Sequence, residues 1–229
     1  MTTSRSPAFR DPTTLLAAGA IAALVAMVAI TFATGVSQET FEIYRAPAEY
    51  CADLRAHVLA LRALFGIDSA FLVLYSALLL AFVRAIARPE VRLFLIVAVA
   101  ASLVTGVLDM VEDHHILAML RAAERGIDAT SGEIAFQHAL SQVKFNLSYL
   151  GLFLIGLSVP RDTRAGVVLA WLLTAGTLVQ GMWLYAAPDD ALPLGNVGRW
   201  VGYVAGFSLL TVVARHRRAA GAVATGAPA

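Results

Sequence analysis

The residues best suited to chemistry lie in two stretches. The first, Asp109-Met-Val-Glu112-Asp113-His114-His115, gathers three carboxylates and two imidazoles. The second, 138–157, contains Lys144, the single lysine of a chain with sixteen arginines. Glu112-x-x-His115 has the i, i+3 spacing that binds two irons in helical bundles when a second helix repeats it, and only one copy is present. Asp109, Glu112 and His115, joined by His138 or Asp68, form a candidate nitrogen/oxygen ligand set. Such a set suits Zn, Fe or Mn better than a thiolate-preferring metal. The same groups could carry acid–base chemistry, with Asp68, Asp109 and Glu112 as acids or bases. Lys144 would then stabilise charge, and His138 would serve as ligand or proton shuttle. His138 with His114 or His115 could alternatively ligate a haem. The plainer alternative is a helix that ends near Val111, leaving the charges beyond it in water. Ser141-x-x-Lys144 has the spacing of a Ser–Lys nucleophile pair, but an amine beside several carboxylates is an ion-pairing group rather than a base.

What positions these residues follows from composition. The 229-residue chain is 59% hydrophobic and 14% charged, against about 25% charged in a typical soluble domain. Its mean hydropathy is +0.74. This is a membrane-protein composition. A lone cysteine, Cys51, permits neither an internal disulfide nor a cysteine-based metal site. A net charge of +1 argues against a nucleic-acid-binding surface. The preference for arginine over lysine suggests a GC-rich, bacterial genome.

Spanning the hydrocarbon layer takes about 20 mostly apolar residues. Stretches at 13–36, 62–83, 91–113, 136–159, 166–187 and 196–214 qualify. The first has an apolar run longer than that of a signal peptide and is expected to be retained. The fold expected is all-α: a polytopic membrane protein with six transmembrane helices in one bundle, a single domain over 1–218 and a disordered tail over 219–229. Ten arginines lie at the N-terminus, the 84–92 connection, the 161–164 turn and the C-terminus. Six lie in or beside the alternate loops. That bias places both termini in the cytoplasm of a plasma (inner) membrane. The first outer loop is expected to be helical after Pro47, with an apolar side that could rest on the membrane surface.

With that topology, every ionisable residue within the spans falls in the outer half or at the membrane border. Lys144 would sit about 12 Å deep at the helical rise. At about 100° per residue, Ser102, Thr105, Asp109, Glu112 and Asp113 share one face of the third span. Gln137, Ser141, Lys144 and Ser148 form one stripe of the fourth; His138, Gln142 and Tyr149 form another. A buried ammonium needs a partner, and the third-span carboxylates are the obvious ones, with Asp68 next. So many close carboxylates also need a bound cation or protons to balance them.

These features point to a polar, ionisable site open to the outer face. The function expected is a metal- or acid/base-dependent enzyme, or a binding protein for a small or lipidic ligand. A non-enzymatic structural or assembly subunit, associating with a partner subunit or with itself, is the first alternative. An ion- or proton-coupled transporter is the second, disfavoured because the inner half offers little polar footing and no inverted repeat is visible.

Overall fold

The computed structural model describes residues 11–186 and 192–225. Among them no strand occurs, and the protein is all-α. The helices are α1 (Pro12–Thr34), α2 (Pro47–Ala56), α3 (Val58–Ile86), α4 (Arg92–Glu124), α5 (Ser131–Ser158), α6 (Arg164–Trp171), α7 (Thr177–Ala186) and α8 (Leu192–Thr225). Short 3-10 turns occupy Gln38–Phe41 and Pro89–Val91, and a π-helical turn at Leu172–Gly176 joins α6 to α7. Six helical segments among the described residues are long and apolar enough to cross a membrane: Pro12–Thr34, Val58–Ile86, Pro89–Glu124, Ser131–Ser158, Arg164–Trp183 and Asn196–Gly221.

The helix ends are set by local chemistry. Asp11 starts α1 by accepting hydrogen bonds from the Thr13 amide (3.1 Å) and hydroxyl (2.7 Å), with Pro12 at the first helical position. Thr130 and Glu133 form a reciprocal capping box. The Glu133 amide donates to Thr130 Oγ1 (3.2 Å), and the Thr130 amide donates to Glu133 Oε2 (2.7 Å). This box starts α5 at Ser131 rather than near 136. The largest departure from expectation is α4, which does not stop near Val111 or 113 but continues to Glu124. Its last turns keep a helical apolar face, with Ile116, Met119, Leu120 and Ala123 buried. Gly126, at φ +79°, then ends it, as the Ile127 amide bonds back to the Ala122 carbonyl (3.0 Å). At the other end of the chain, α8 runs to Thr225 through most of the stretch expected to be disordered, consistent with its alanine content. Residues 226–229 lie outside the described residues.

Cα packing divides the chain into two compact units. Unit 1 comprises Met1–Ile21, Leu74–Ser102 and Ser148–Ala229; unit 2 comprises Ala22–Val73 and Leu103–Leu147. Unit 1 is held by close apolar packing. Gly156 lies so near the π turn that a Cβ there would come within 2.8 Å of Leu173 Cβ and Thr174 Cγ2. Gly151 is similarly tight against Ser102 Oγ and the Ala98 carbonyl. In unit 2 the apolar side of α2 does not lie on a membrane surface, as its pattern had suggested. Tyr50, Cys51 and Leu54 are buried in a core with Phe41, Leu61, Ile116, Leu120 and Ile134. Arg45 stacks over the Phe41 and Tyr50 rings at 5.5 and 5.6 Å and pairs with Asp53, tying the loop before α2 to the helix itself.

A buried lysine–carboxylate cluster in unit 2

Three helices and one loop of unit 2 bring the cluster together. On α4, Asp109, Glu112 and Asp113 stand at i, i+3 and i+4, so all three carboxylates face one way. On α5, Gln137, Ser141 and Lys144 occupy successive turns of one face, and all three are buried. Asp68 comes from α3, and Gln38 and Glu42 come from the 3-10 turn and the residue that ends it.

Lys144 is the hub. Its Nζ lies 2.7 Å from Glu112 Oε2, 3.0 Å from Asp109 Oδ1 and 3.0 Å from Glu42 Oε1, and its side chain is 6% exposed. That answers the cost of placing an ammonium among apolar helices: three carboxylates replace its hydration. It also leaves the amine no role as a nucleophile, and the neighbouring Ser141 hydroxyl donates to Glu112 Oε1 (2.8 Å) rather than pairing with it. Glu112 is fully buried, so each of its oxygens meets one member of α5.

A second group overlaps the first at Asp109. Asp68, Asp109 and Asp113 each offer a carboxylate oxygen, and these oxygens all lie within 4.8 Å of one another. The Gln38 amide donates to Asp113 Oδ1 (2.8 Å). The whole cluster thus sets five carboxylates, those of Glu42, Asp68, Asp109, Glu112 and Asp113, against one ammonium.

The sequence-derived ligand set of Asp109, Glu112, His115 and His138 does not converge. Glu112 is committed to Lys144 and Ser141. His115 turns its Nδ1 to Gln137 Oε1 (2.8 Å) and packs edge-on against Phe136. His138 Nδ1 meets the Glu42 carbonyl (3.0 Å) and fastens the loop. The exposed His114 points back to the Met110 carbonyl. The i, i+3 spacing of Glu112 and His115 brought the side chains to neighbouring directions but not to one point. Asp68, Asp109, Glu112 and Lys144, the four proposed for catalysis, do gather. Among the described residues, the group that could ligate a metal is instead Asp68, Asp109 and Asp113, an all-oxygen set.

Two partners escaped the sequence pattern. Glu42 and Gln38 lie in a loop outside the spans, where an acidic residue reads as solvated. The only available signal was their i, i+4 spacing around Phe41, an aromatic residue that must bury. Outside the spans, burial pushes the Tyr50 hydroxyl well above its usual range. The Arg55 guanidinium holds the exposed Asp128 carboxyl below its own. Tyr50 is therefore a neutral donor, to the Phe41 carbonyl (3.2 Å), and Arg55–Asp128 is a surface pair.

The fold and the cluster define a class: a multi-pass membrane protein with a buried lysine–carboxylate network. No family model, curated protein or solved structure matches the chain.

Proposed function

We propose that the protein is a cation-binding membrane protein in which Asp68, Asp109 and Asp113 hold a hard divalent cation. The observation that carries this reading is the charge imbalance of the cluster. Lys144 balances one of five carboxylates, four of them buried and Asp109 half-buried, and among the described residues no cationic side chain pairs directly with Asp68 or Asp113. Buried negative charge of that size requires compensation. Three carboxylates without nitrogen or sulfur suit Mn, Mg or Ca rather than Zn or Fe. Lys144 is then the fixed counter-charge that positions Asp109, and Gln38 orients Asp113. The arginine bias favours cytoplasmic termini in a bacterial plasma membrane, which turns the Gln38–Glu42 loop towards the outer side. A bound cation there could serve hydrolytic or acid–base chemistry on a small or lipidic substrate.

The test is thermal unfolding of the detergent-solubilised protein with added Mn, Mg or Ca. A cation present at a hundred times its Kd stabilises the folded state by about 2.7 kcal/mol. The shift should vanish in Asp68→Asn and in Asp113→Asn. Unchanged melting with all three metals would defeat the proposal.

A second reading is favoured by one observation, the saturation of Lys144 by three carboxylates. Such a network can serve to fix helix arrangement in a structural or assembly subunit. If that were its whole role, Lys144→Met would disturb folding or association, and no metal would bind the wild-type protein.

A further inference from the structure

We infer that the arginine-rich end of unit 1 is a binding surface for anionic phospholipid. This rests on residues remote in sequence from the acidic cluster and does not depend on the cation reading. Three contacts collect the chain segments at this end. Arg88 donates to the Ser158 carbonyl (3.1 Å), Arg217 pairs with Asp162 (3.3 Å), and Arg218 clasps Asp11 and Thr13. Those contacts use two of the three carboxylates nearby, Asp11 and Asp162; the third, Glu90, is exposed. Five further arginines, Arg84, Arg92, Arg161, Arg164 and Arg215, are exposed and make no ion pair among the described residues. The end therefore carries a positive excess that the protein does not neutralise.

What distinguishes a lipid from a soluble anion is the surface next to these guanidiniums. Arg92 is followed immediately by exposed Leu93 and Phe94. Arg164 is followed by exposed Val167, Val168 and Trp171, about one and two turns along the same helix. Exposed Val212 lies just before Arg215. A guanidinium with apolar side chains beside it on the same helix matches a phosphate headgroup above acyl chains. A free phosphate or an acidic protein segment would use the charge and leave the apolar surface bare. Arginine also suits phosphate better than lysine does, through its paired N–H geometry, and this end contains no lysine.

The experiment uses the full chain in neutral detergent, with phosphatidylglycerol or phosphatidylcholine titrated in and bound lipid counted by native mass spectrometry. Phosphatidylglycerol should bind at least about a hundredfold more tightly. At about fivefold per arginine near the surface, the triple variant Arg92→Gln/Arg164→Gln/Arg215→Gln should lose about a hundredfold of that affinity while phosphatidylcholine binding stays unchanged. Arg121→Gln/Arg125→Gln, exposed arginines of unit 2, should keep the preference. Raising salt from about 50 to 500 mM should collapse the wild-type preference, a result that stands even if the triple variant does not fold. Equal affinity for the two lipids, a preference surviving in a folded triple variant or at high salt, or displacement of phosphatidylglycerol by equimolar glycerol phosphate would each overturn the inference.

Discussion

The two units solve opposite electrostatic problems. Unit 2 contains eleven Asp and Glu against six Arg and Lys, while unit 1 contains eleven Arg against five Asp and Glu. In unit 2, six of the charged groups are buried or nearly so, and they form one network. In unit 1 the described charges are exposed or half-buried, and the interior holds apolar side chains, glycine and a few uncharged hydroxyls (Thr13, Ser158, Thr174 and Thr177). Cohesion in unit 1 comes from close packing. In unit 2 it comes from packing plus an ion cluster whose members are costly to separate. The same substitution type should therefore have very different consequences in the two.

The largest effect is expected for Lys144→Met. It strands the buried Glu42 and Glu112 and the half-buried Asp109, and losing one partner of a buried pair costs about 3–5 kcal/mol. Arg217→Gln, which removes a rim cation of unit 1, should cost less than about 1 kcal/mol. Denaturant unfolding in detergent checks both. Equal small costs would mean that Lys144 is a tolerated snorkelling lysine and that the contrast between the units is superficial.

Next in size is Glu42→Gln, which weakens one of three charge-assisted bonds to Lys144 and should cost about 1.5–3 kcal/mol. Gly156→Ala probes the packing side of the comparison. Its added methyl meets Leu173 and Thr174, and overpacking of this kind costs about 1–3 kcal/mol. Gly66→Ala in unit 2 meets nothing within 4 Å and should be neutral or slightly stabilising, because alanine favours helix. Thermal melting of the pair gives the comparison directly.

The smallest effect concerns pH at the rim of unit 1. Burial alone would raise the Asp11 carboxyl, but hydrogen bonds from Thr13 and the Arg218 charge leave it below its ordinary value of 3.8. A depressed carboxyl stabilises the fold fully above its unfolded value and loses that contribution as pH falls through the lower folded one. The clasp should thus be intact at neutral pH and vanish only below about pH 4, by less than about 1 kcal/mol. Arg218→Gln should weaken that acid-side dependence without abolishing it, because the Thr13 hydrogen bonds remain, while leaving the melting temperature at pH 7 nearly unchanged.

Much of this was legible in the sequence. Six apolar stretches gave six spans, because length and hydropathy are local properties. Helical phase gathered Asp109, Glu112 and Asp113 on one face and Gln137, Ser141 and Lys144 on another, and both faces are buried or nearly so. Phase did not show which α4 residues converge with α3, so Asp113 was passed over for His115. The length of α4 was missed because charges in mid-helix resemble a solvated end; only the tertiary burial of Ile116 and Leu120 shows that the helix continues. Glu42 and Gln38 were invisible for a related reason. A loop residue's approach to a distant helix leaves no periodic trace.

The central claim is that the surplus negative charge of unit 2 is balanced by a cation from outside the chain. Elemental analysis tests it most directly, on wild-type protein purified without exposure to chelator, beside Asp68→Asn and Asp113→Asn. The account predicts about one equivalent of Mn, Mg or Ca in the wild type, lost in both variants while their helical spectra are retained. Folded wild-type protein free of divalent metal would contradict it and leave the cluster as a protonated structural network.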